Sequence, residues 1–237
     1  METKDRQGGP DRAVQTEGPA RRPRTRQARL GPWLLLVVLA ALGPGRAAAE
    51  EAWQACKVKD AGKDDLSLEK RAVPDSKFHE YRAQVTSKLS AEAILRTLWG
   101  NLTDPPQGVV KQRQILRKSA TEVVLYDQVR TPVVSDRDYT LRIWLEREPA
   151  GTVHLKMHTA PELGPPPADK HVRIPIIRGE WTLVPRPEGG ARVTFQCFSE
   201  PGGSVPAFMV RGAQQDQVVS DVRRILAKAE AQAAAGR

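Results

Sequence analysis

Residue types that commonly catalyse reactions or bind metal ions are scarce in this chain. Its 237 residues include only four His and two Cys. The sequence contains no paired-cysteine metal signature, no glycine-rich phosphate loop and no serine in a nucleophile-elbow context. We therefore predict a protein that is not an enzyme, with no catalytic residues, no cofactor and no metal site.

Long apolar runs are also missing. A membrane-spanning helix needs about 20 apolar residues, whereas the apolar run at residues 33–43 has eleven. A basic segment precedes this run and three alanines at residues 47–49 follow it, which is the pattern of a secretory signal peptide. We expect residues 1–49 to be a signal peptide with a long basic n-region, cleaved before Glu50, and the protein to be periplasmic or secreted. An uncleaved anchor in the membrane is the alternative.

Strong charge of one sign is lacking once this segment is removed. The whole chain carries a formal charge of +9, but residues 1–49 hold nine Lys or Arg and four Asp or Glu, which leaves +4 for residues 50–237. Nucleic-acid-binding proteins usually show a clustered basic stripe. We therefore expect no nucleic-acid partner and a modest attraction to anionic membrane surfaces.

The two cysteines, Cys56 and Cys197, allow one disulfide at most. The oxidising compartment of an exported protein would permit that bond. The alternative is two small buried thiols on strands, and the sequence leaves both possibilities open.

Alternating apolar and polar residues predict strands through most of the chain after residue 52. Three strand-like segments lie between Trp53 and Leu89, and Ser90 is placed to cap a helix that ends between Asn101 and Pro106. Six further strands follow in hairpins and predict an antiparallel meander, with the proline-rich residues 161–170 as a loop at the edge of the sheet. These strands are residues 108–118, 121–131, 137–148, 152–160, 172–186 and 191–200.

A long amphipathic helix is predicted from about Ser204 to about Ala233. Its apolar stripe consists of Phe208, Gly212, Val219, Val222, Leu226 and Ala229. Nine strands and this helix predict an α+β fold in which a curved antiparallel sheet wraps around the helix. Such a sheet cannot fill its own concave face with only four Phe, five Trp and three Tyr in the chain, so we expect an internal hydrophobic cavity.

The strand predicted at residues 152–160 has two different faces. Val153, Leu155 and Met157 alternate with the polar residues and are expected to face the cavity. The other face carries His154 and His158 with a lysine between them, which disfavours a bound cation. We therefore expect both histidines to face water.

Three motifs resemble the START domain, the lipid-transfer family named after the steroidogenic acute regulatory protein. They are Pro132 with the Ser-x-Arg-Asp-aromatic segment at residues 135–139, the Gly-x-Trp strand at Gly179 and Trp181, and the Pro-Gly-Gly-x-aliphatic-Pro segment at residues 201–206. With the segments before them, the resemblance covers roughly residues 52–232. It points to a bacterial member of the family.

The resemblance implies a helix-grip fold over residues 50–237, with a tunnel that holds one lipid or sterol and a lid formed by the C-terminal helix and neighbouring loops. Gly202 and Gly203 would be the lid hinge, since glycine frees the backbone. Phe208 and Met209 would be part of the tunnel roof. The alternative is that both pack in a closed core.

The resemblance also implies a set of lipid-binding residues: Tyr126, Arg142, Trp181, Phe195, Phe208 and Met209. Many eukaryotic members carry an arginine six residues after the arginine of the Arg-Asp-aromatic motif, whereas Arg142 follows Arg137 by five. Arg142 is predicted either to bind a headgroup, paired with Asp127, or to be a solvated surface charge. Arg137 and Asp138 are expected to brace a loop.

The prediction is a monomeric lipid-binding or lipid-transfer protein that sequesters one phospholipid, fatty acid or sterol and contacts a membrane surface transiently. Two alternatives remain at this point. One is a helix-grip enzyme acting on a hydrophobic substrate, with Asp127 or Glu180 as its acid or base. The other is a structural module of the cell envelope without cargo.

Overall fold

A computed structural model provides the fold and describes residues 52–60, 62–106, 108–131 and 134–236, with the side chain of Met209 left out. The predicted signal peptide, residues 1–49, and its cleavage site lie outside the described residues. In the described part of the chain, no helix is both long enough and apolar enough to cross a membrane.

The described residues form ten strands and two helices, which confirms the α+β class. The strands are β1 (Gln54–Ala55), β2 (Ser67–Ala72), β3 (His79–Ser87), β4 (Val110–Lys118), β5 (Glu122–Val129), β6 (Arg137–Arg147), β7 (Val153–Thr159), β8 (Val172–Arg173), β9 (Ile176–Pro185) and β10 (Ala191–Glu200). The helices are α1 (Ala91–Thr103) and α2 (Ala207–Ala235).

All ten strands belong to one sheet in the order β1-β2-β3-β10-β9-β7-β6-β5-β4, and β8 pairs with β6 beside this path. Neighbours are antiparallel except β8, which runs parallel to β6. The predicted meander is therefore confirmed. The prediction of a single strand at residues 172–186 is wrong, because this segment is divided into β8 and β9. Pro175 lies between them and lacks the N–H that a continuous ladder needs.

One face of the sheet is apolar and holds α2. Tyr81, Ala83 and Val85 of β3 lie on this face with the alternation that the sequence predicts. From the helix, Val222 and Ile225 are buried against the same core. This arrangement is the helix-grip fold expected from the sequence.

The two helices differ in how well the sequence located them. Helix α1 begins as predicted, because the Ser90 hydroxyl accepts a hydrogen bond from the backbone N–H of Ala93 at 3.3 Å. Helix α2 begins at Ala207 rather than near Ser204. Its apolar stripe is buried only in the C-terminal part, since Phe208 and Gly212 are exposed.

The proline-rich segment 161–170 was predicted at the edge of the sheet, but it lies over the outer face. It contains one turn of 3-10 helix at Pro161–Leu163. A Cβ atom on Gly164 would lie 1.9 Å from the Thr140 hydroxyl of β6, so the backbone packs directly on the strand. The backbone N–H of Ala168 also donates to the Asp138 carboxylate at 2.6 Å.

Both edges of the sheet depart from regular strands. β1 consists of two residues. β4, with the sequence VKQRQILRK, has irregular pairing with β5 between Val110 and Gln112 and between Ile115 and Arg117.

Both cysteines are free thiols in the structure. Cys197 is on β10 and lines the cavity described below, and Cys56 packs against the core just after β1. The sequence left open whether the two cysteines pair, and in the structure they form no disulfide with each other.

Candidate ligand-binding cavity

A cavity of about 570 Å³ lies between the concave face of the sheet and the N-terminal half of α2. Its volume falls in the range of roughly 300–1,000 Å³ that is usual for small-molecule sites. Met157, Ile177 and Phe195 form much of the sheet wall, and Val210 and Val218 line it from the helix. A ligand in this cavity would contact mainly aliphatic and aromatic carbon.

The polar lining of the cavity is distributed unevenly along α2. Arg130 and Arg137 lie at the end where the helix begins, next to Val205. Asp221 lies at the other end, about 16 Å beyond Val210 at the 1.5 Å rise per residue of an α-helix. The Asp221 carboxylate accepts a hydrogen bond from Arg224 at 2.9 Å.

Gln214 contributes a polar atom to the middle of this wall. Its amide nitrogen donates to the Ser199 carbonyl at 2.9 Å and to the Ser199 hydroxyl at 3.0 Å. Its amide oxygen is buried without a hydrogen-bond partner among the described residues. Buried polar atoms are usually paired, so this oxygen can accept a hydrogen bond from a bound molecule.

Two of the predicted site residues form an aromatic stack inside the sheet. The rings of Trp181 and Phe195 are nearly parallel, with centroids 4.2 Å apart. Phe195 lines the cavity, and Trp181 is packed behind it in the core. The structure therefore brings these two predicted residues together, with Phe195 in the position to contact a ligand.

Tyr126 and Arg142 lie on the outer face of the sheet. The prediction that they bind lipid at the cavity is therefore wrong. Successive residues of a strand point to opposite faces, and the neighbouring Leu125 is the one in the concave core. The Tyr126 hydroxyl donates to Asp138 at 2.9 Å. Arg142 is exposed and pairs with Glu122 at 2.6 Å, which corrects the predicted pairing with Asp127.

Phe208, in the first turn of α2, does not roof the cavity as predicted. Its side chain is 80% exposed, whereas Val210 of the same turn lines the cavity. The side chain of Met209 lies outside the described residues. Gly202 and Gly203 precede this turn and have φ angles of +67° and +63°, which L side chains rarely adopt.

Arg137 braces the loop at this hinge, as predicted. It is 4% exposed. Its guanidinium donates to the backbone carbonyls of Pro201 at 3.3 Å and Gly202 at 3.5 Å, and also to that of Ser135. Desolvation lowers the pKa of Arg137, and the nearby Asp136 carboxylate offsets part of this effect.

Asp138 is buried on the outer face beneath the 161–170 segment. Arg173 donates to it at 2.7 Å. Desolvation alone would raise the pKa of Asp138, but the hydrogen bonds from Arg173, Ala168 and Tyr126 outweigh it and lower the pKa. The Asp138 carboxylate therefore holds the loop on the outer face of the sheet.

A second buried charged cluster lies on the concave face beyond the cavity lining, and the sequence did not reveal it. Arg113 of β4 donates to both oxygens of Asp127, at 2.8 and 2.6 Å. The Tyr139 hydroxyl donates to Asp127 at 3.1 Å, and burial raises the pKa of that hydroxyl. Arg113 also donates to the carbonyls of Asn101 and Leu102. The cluster ties the end of α1 to the sheet; its only sequence signal was an aspartate in the apolar run VVLYD.

The histidines of β7 lie on the outer face, as the alternation predicts. Val153 and Leu155 are in the core, and Met157 lines the cavity. His154 has Glu180 at 2.5 Å from Nδ1 and Glu148 at 3.0 Å from Nε2. Desolvation would lower the pKa of His154, but these two carboxylates outweigh it and raise the pKa.

Comparison with known proteins finds solved structures with this architecture. No protein-family model matches the chain. An uncharacterized protein of Pseudomonas aeruginosa is 28% identical over 204 residues, which cover 83% of this chain and 97% of that protein. The crystal structure of a STAR-related lipid transfer protein from Xanthomonas axonopodis superposes with a TM-score of 0.63 at 24% identity, covering 75% of this chain and 98% of that one.

Human STARD10 is similar at greater distance. Its crystal structure superposes with a TM-score of 0.58 at 18% identity and covers 75% of this chain and 72% of that one. At these identities the likeness establishes the fold. The chain has the START helix-grip fold, as the sequence motifs indicated.

Proposed function

We propose that this protein is a lipid carrier that binds one hydrophobic ligand, such as a phospholipid, fatty acid or sterol, in the cavity between the sheet and α2. The observation that carries the proposal is the apolar cavity of about 570 Å³ in a START-type fold. One molecule of liquid water occupies about 30 Å³, so the cavity has the volume of roughly 19 water molecules. Such a volume suits a single acyl chain or a compact ring system better than a two-chain phospholipid.

Burial of apolar surface provides the affinity in this proposal. At about 25 cal/mol per Å², covering roughly 400 Å² of ligand surface contributes about 10 kcal/mol before binding costs are subtracted. The loss of ligand freedom offsets several kcal/mol of that gain. The remainder is enough for useful binding without any covalent step.

Ligand exchange would occur at the end of the cavity where α2 begins. The turn at Gly202 and Gly203 joins β10 to this end of the helix, and Pro201 and Val205 line the cavity there. We propose that the turn opens at a membrane surface, that one ligand enters, and that the turn closes again. Export by the segment 1–49 and action as a monomer belong to the same proposal.

Asp127 and Glu180, the two acids considered for an enzyme of this fold, are bonded to other side chains. Both oxygens of Asp127 are bonded to Arg113. Glu180 lies on the outer face beside His154 and Thr182, and neither acid lines the cavity. We therefore propose the carrier function alone.

Native mass spectrometry with organic extraction tests the proposal. The full chain is expressed in a bacterial host and collected after export, and we expect one lipid mass bound per chain that begins at Glu50. Val210→Trp, which fills the cavity, should reduce the bound fraction, whereas Ala231→Trp on the exposed part of α2 should not. A protein without bound lipid that also ignores a panel of lipids and sterols would contradict the proposal.

A further inference from the structure

Arg137 occupies the wall between two hollows of the molecule. It lines the main cavity near the start of α2. It also lines a shallower pocket of about 450 Å³ on the other side, together with Ser135, Val172 and Ser204. A side chain with 4% of its surface exposed therefore borders both spaces.

The partners of Arg137 are unusual for a buried cation. Its three hydrogen bonds go to the backbone carbonyls of Ser135, Pro201 and Gly202. Within residues 52–60, 62–106, 108–131 and 134–236, no carboxylate forms an ion pair with it. The neighbouring Asp136 uses its oxygens for Lys111 and for the backbone N–H of Thr131.

Two half-buried arginines of the sheet differ in this respect. Arg113 pairs with Asp127, which is 1% exposed, and Arg173 pairs with Asp138, which is fully buried. Buried charges are normally paired because an uncompensated charge in a low-dielectric interior is costly. The charge of Arg137 is compensated by carbonyl dipoles and, without a direct ion pair, by the nearby Asp136 carboxylate.

We propose that Arg137 is the binding site for the anionic headgroup, carboxylate or phosphate, of a lipid whose chain lies in the cavity along α2. This inference rests on the proposed carrier function and specifies its ligand class. The planar guanidinium offers paired N–H donors that fit a carboxylate or phosphate. Two of its five N–H groups have no bond in the described structure.

The charges around the cavity favour the same orientation. Arg130 and Arg137 are both at the end where α2 begins. The carboxylate of Asp221 is at the opposite end, and the unpaired oxygen of Gln214 lies between them. The two arginines attract an anion to the first end, whereas the Asp221 carboxylate, which pairs with Arg224, offers no donor to an anion, and this favours the headgroup at Arg137.

Headgroup binding would also act on the hinge. The bonds from Arg137 to Pro201 and Gly202 are long, at 3.3 and 3.5 Å. An ionised oxygen is a stronger acceptor than a carbonyl oxygen, so a bound headgroup competes for the same N–H groups. The 201–203 turn would then be held less firmly while the headgroup is bound.

The test compares ligands that share a 12-carbon chain and differ in their headgroup. Dodecanoic acid, dodecanol and lysophosphatidic acid with a 12-carbon chain displace a neutral fluorescent probe, N-phenyl-1-naphthylamine, from the wild-type protein at pH 8. We expect both anionic ligands to bind at least about 10-fold more tightly than the alcohol, the gain of one charge-assisted contact. Inorganic phosphate should not displace the probe, because the chain provides most of the affinity.

Matched variants assign the effect to one side chain. Arg137→Gln should bring the acid-to-alcohol ratio close to one, and Arg137→Lys should keep part of the preference. Arg96→Gln removes the same charge from an exposed position on α1 outside the cavity lining and should keep the ratio. If Arg137→Gln does not fold, the acid-to-alcohol ratios of the wild-type protein and of Arg137→Lys test the headgroup site.

The outcomes separate this inference from the carrier function. Equal binding of acid and alcohol by the wild-type protein would overturn the headgroup site and leave the carrier intact. A preference that survives in Arg137→Gln would also overturn it. Displacement of the probe by millimolar phosphate alone would show a free-anion site instead of a lipid headgroup site, and no displacement by any lipid would overturn both proposals.

Discussion

Asp127 is the most deeply buried charged residue on the concave face, with 1% of its surface exposed. Its position on the concave face follows from the alternation along β5, but its partner does not follow from any local pattern. Arg113 meets Asp127 because β4 pairs with β5 in a register that contains two irregularities. A sequence cannot fix such a register, so the pairing of Asp127 with Arg142 was a reasonable but wrong expectation.

Loss of the Asp127 charge should destabilise the protein strongly. Asp127→Asn leaves the half-buried Arg113 without its compensating charge, and breaking a buried pair costs about 3–5 kcal/mol. Urea denaturation should show a loss of this size in the free energy of unfolding. The matched change Glu122→Gln breaks the exposed pair with Arg142 and should cost far less, as surface pairs do. Equal losses for the two variants would contradict the assigned role of the pair.

Cys197 should make the stability fall at high pH. Burial raises the pKa of its thiol to about 12 from an ordinary value of 9.0. Its contribution to stability is therefore complete below about pH 9 and is lost as the pH rises toward 12, because the unfolded chain releases the proton first. The slope is at most about 1.4 kcal/mol per pH unit.

Urea denaturation at several pH values between 8 and 11 measures this slope. Burial also raises the pKa of Tyr81 to about 12, so some fall in stability remains without the cysteine. Cys197→Ala should nevertheless give a clearly shallower slope between pH 9 and 10.5. An unchanged slope in this variant would show that the thiol does not titrate as described.

At the scale of elements, the turn between β10 and α2 determines where the helix starts. The sequence indicated its glycines and the following helix correctly. It placed the helix start too early and the Phe208 side chain in the cavity, because periodicity cannot show where the sheet ends beneath the helix. The burial of Val218 and Val222 and the exposure of Phe208 mark that boundary.

Two adjacent glycines of this turn should respond differently to alanine. Both have positive φ angles, so each substitution carries a backbone cost of about 1–2 kcal/mol. A Cβ on Gly202 would also lie 2.7 Å from the Arg173 carbonyl oxygen, whereas one on Gly203 would have its nearest contact at 3.4 Å. Gly202→Ala should therefore lower the free energy of unfolding clearly more than Gly203→Ala in urea denaturation. The reverse order would show that the turn has a different conformation.

The meander was predictable and the path of the 161–174 segment was not. Alternating residues and hairpin turns identify β4 to β7 and β9 to β10 without knowledge of the tertiary structure. The parallel pairing of β8 with β6 depends on Asp138, a single buried carboxylate that fastens Arg173 and Ala168. The same limit applies to the site, because Phe195 could be placed from its strand but Tyr126 was placed on the wrong face.

At the scale of the whole molecule, the exposed side chain of Phe208 lies at the start of α2, next to the cavity-lining residues Val205 and Val210. Arg211, three residues along the helix, lies on the same side. An exposed aromatic ring beside a cation suits contact with an anionic membrane. The proposed exchange of ligand would then take place at this end of the molecule.

Phe208→Ala should slow lipid transfer without weakening the fold. The side chain is 80% exposed, so the change in unfolding free energy should stay within about 0.5 kcal/mol. Transfer of a fluorescent fatty acid between anionic vesicles should become slower, while equilibrium binding stays the same. Val184→Ala, an exposed apolar residue near the far end of β9, is the control and should leave the transfer rate unchanged. Equal rates for all three proteins would argue against membrane contact at Phe208.

The irregular edges of the sheet affect how the protein behaves at high local concentration. A carrier crowded on a membrane meets many copies of itself, and a long regular edge strand would let two sheets join side by side. β1 offers only two residues for such joining, and β4 combines four cations with two breaks in its ladder. The molecule can thus expose apolar surface at its opening while its sheet resists polymerisation.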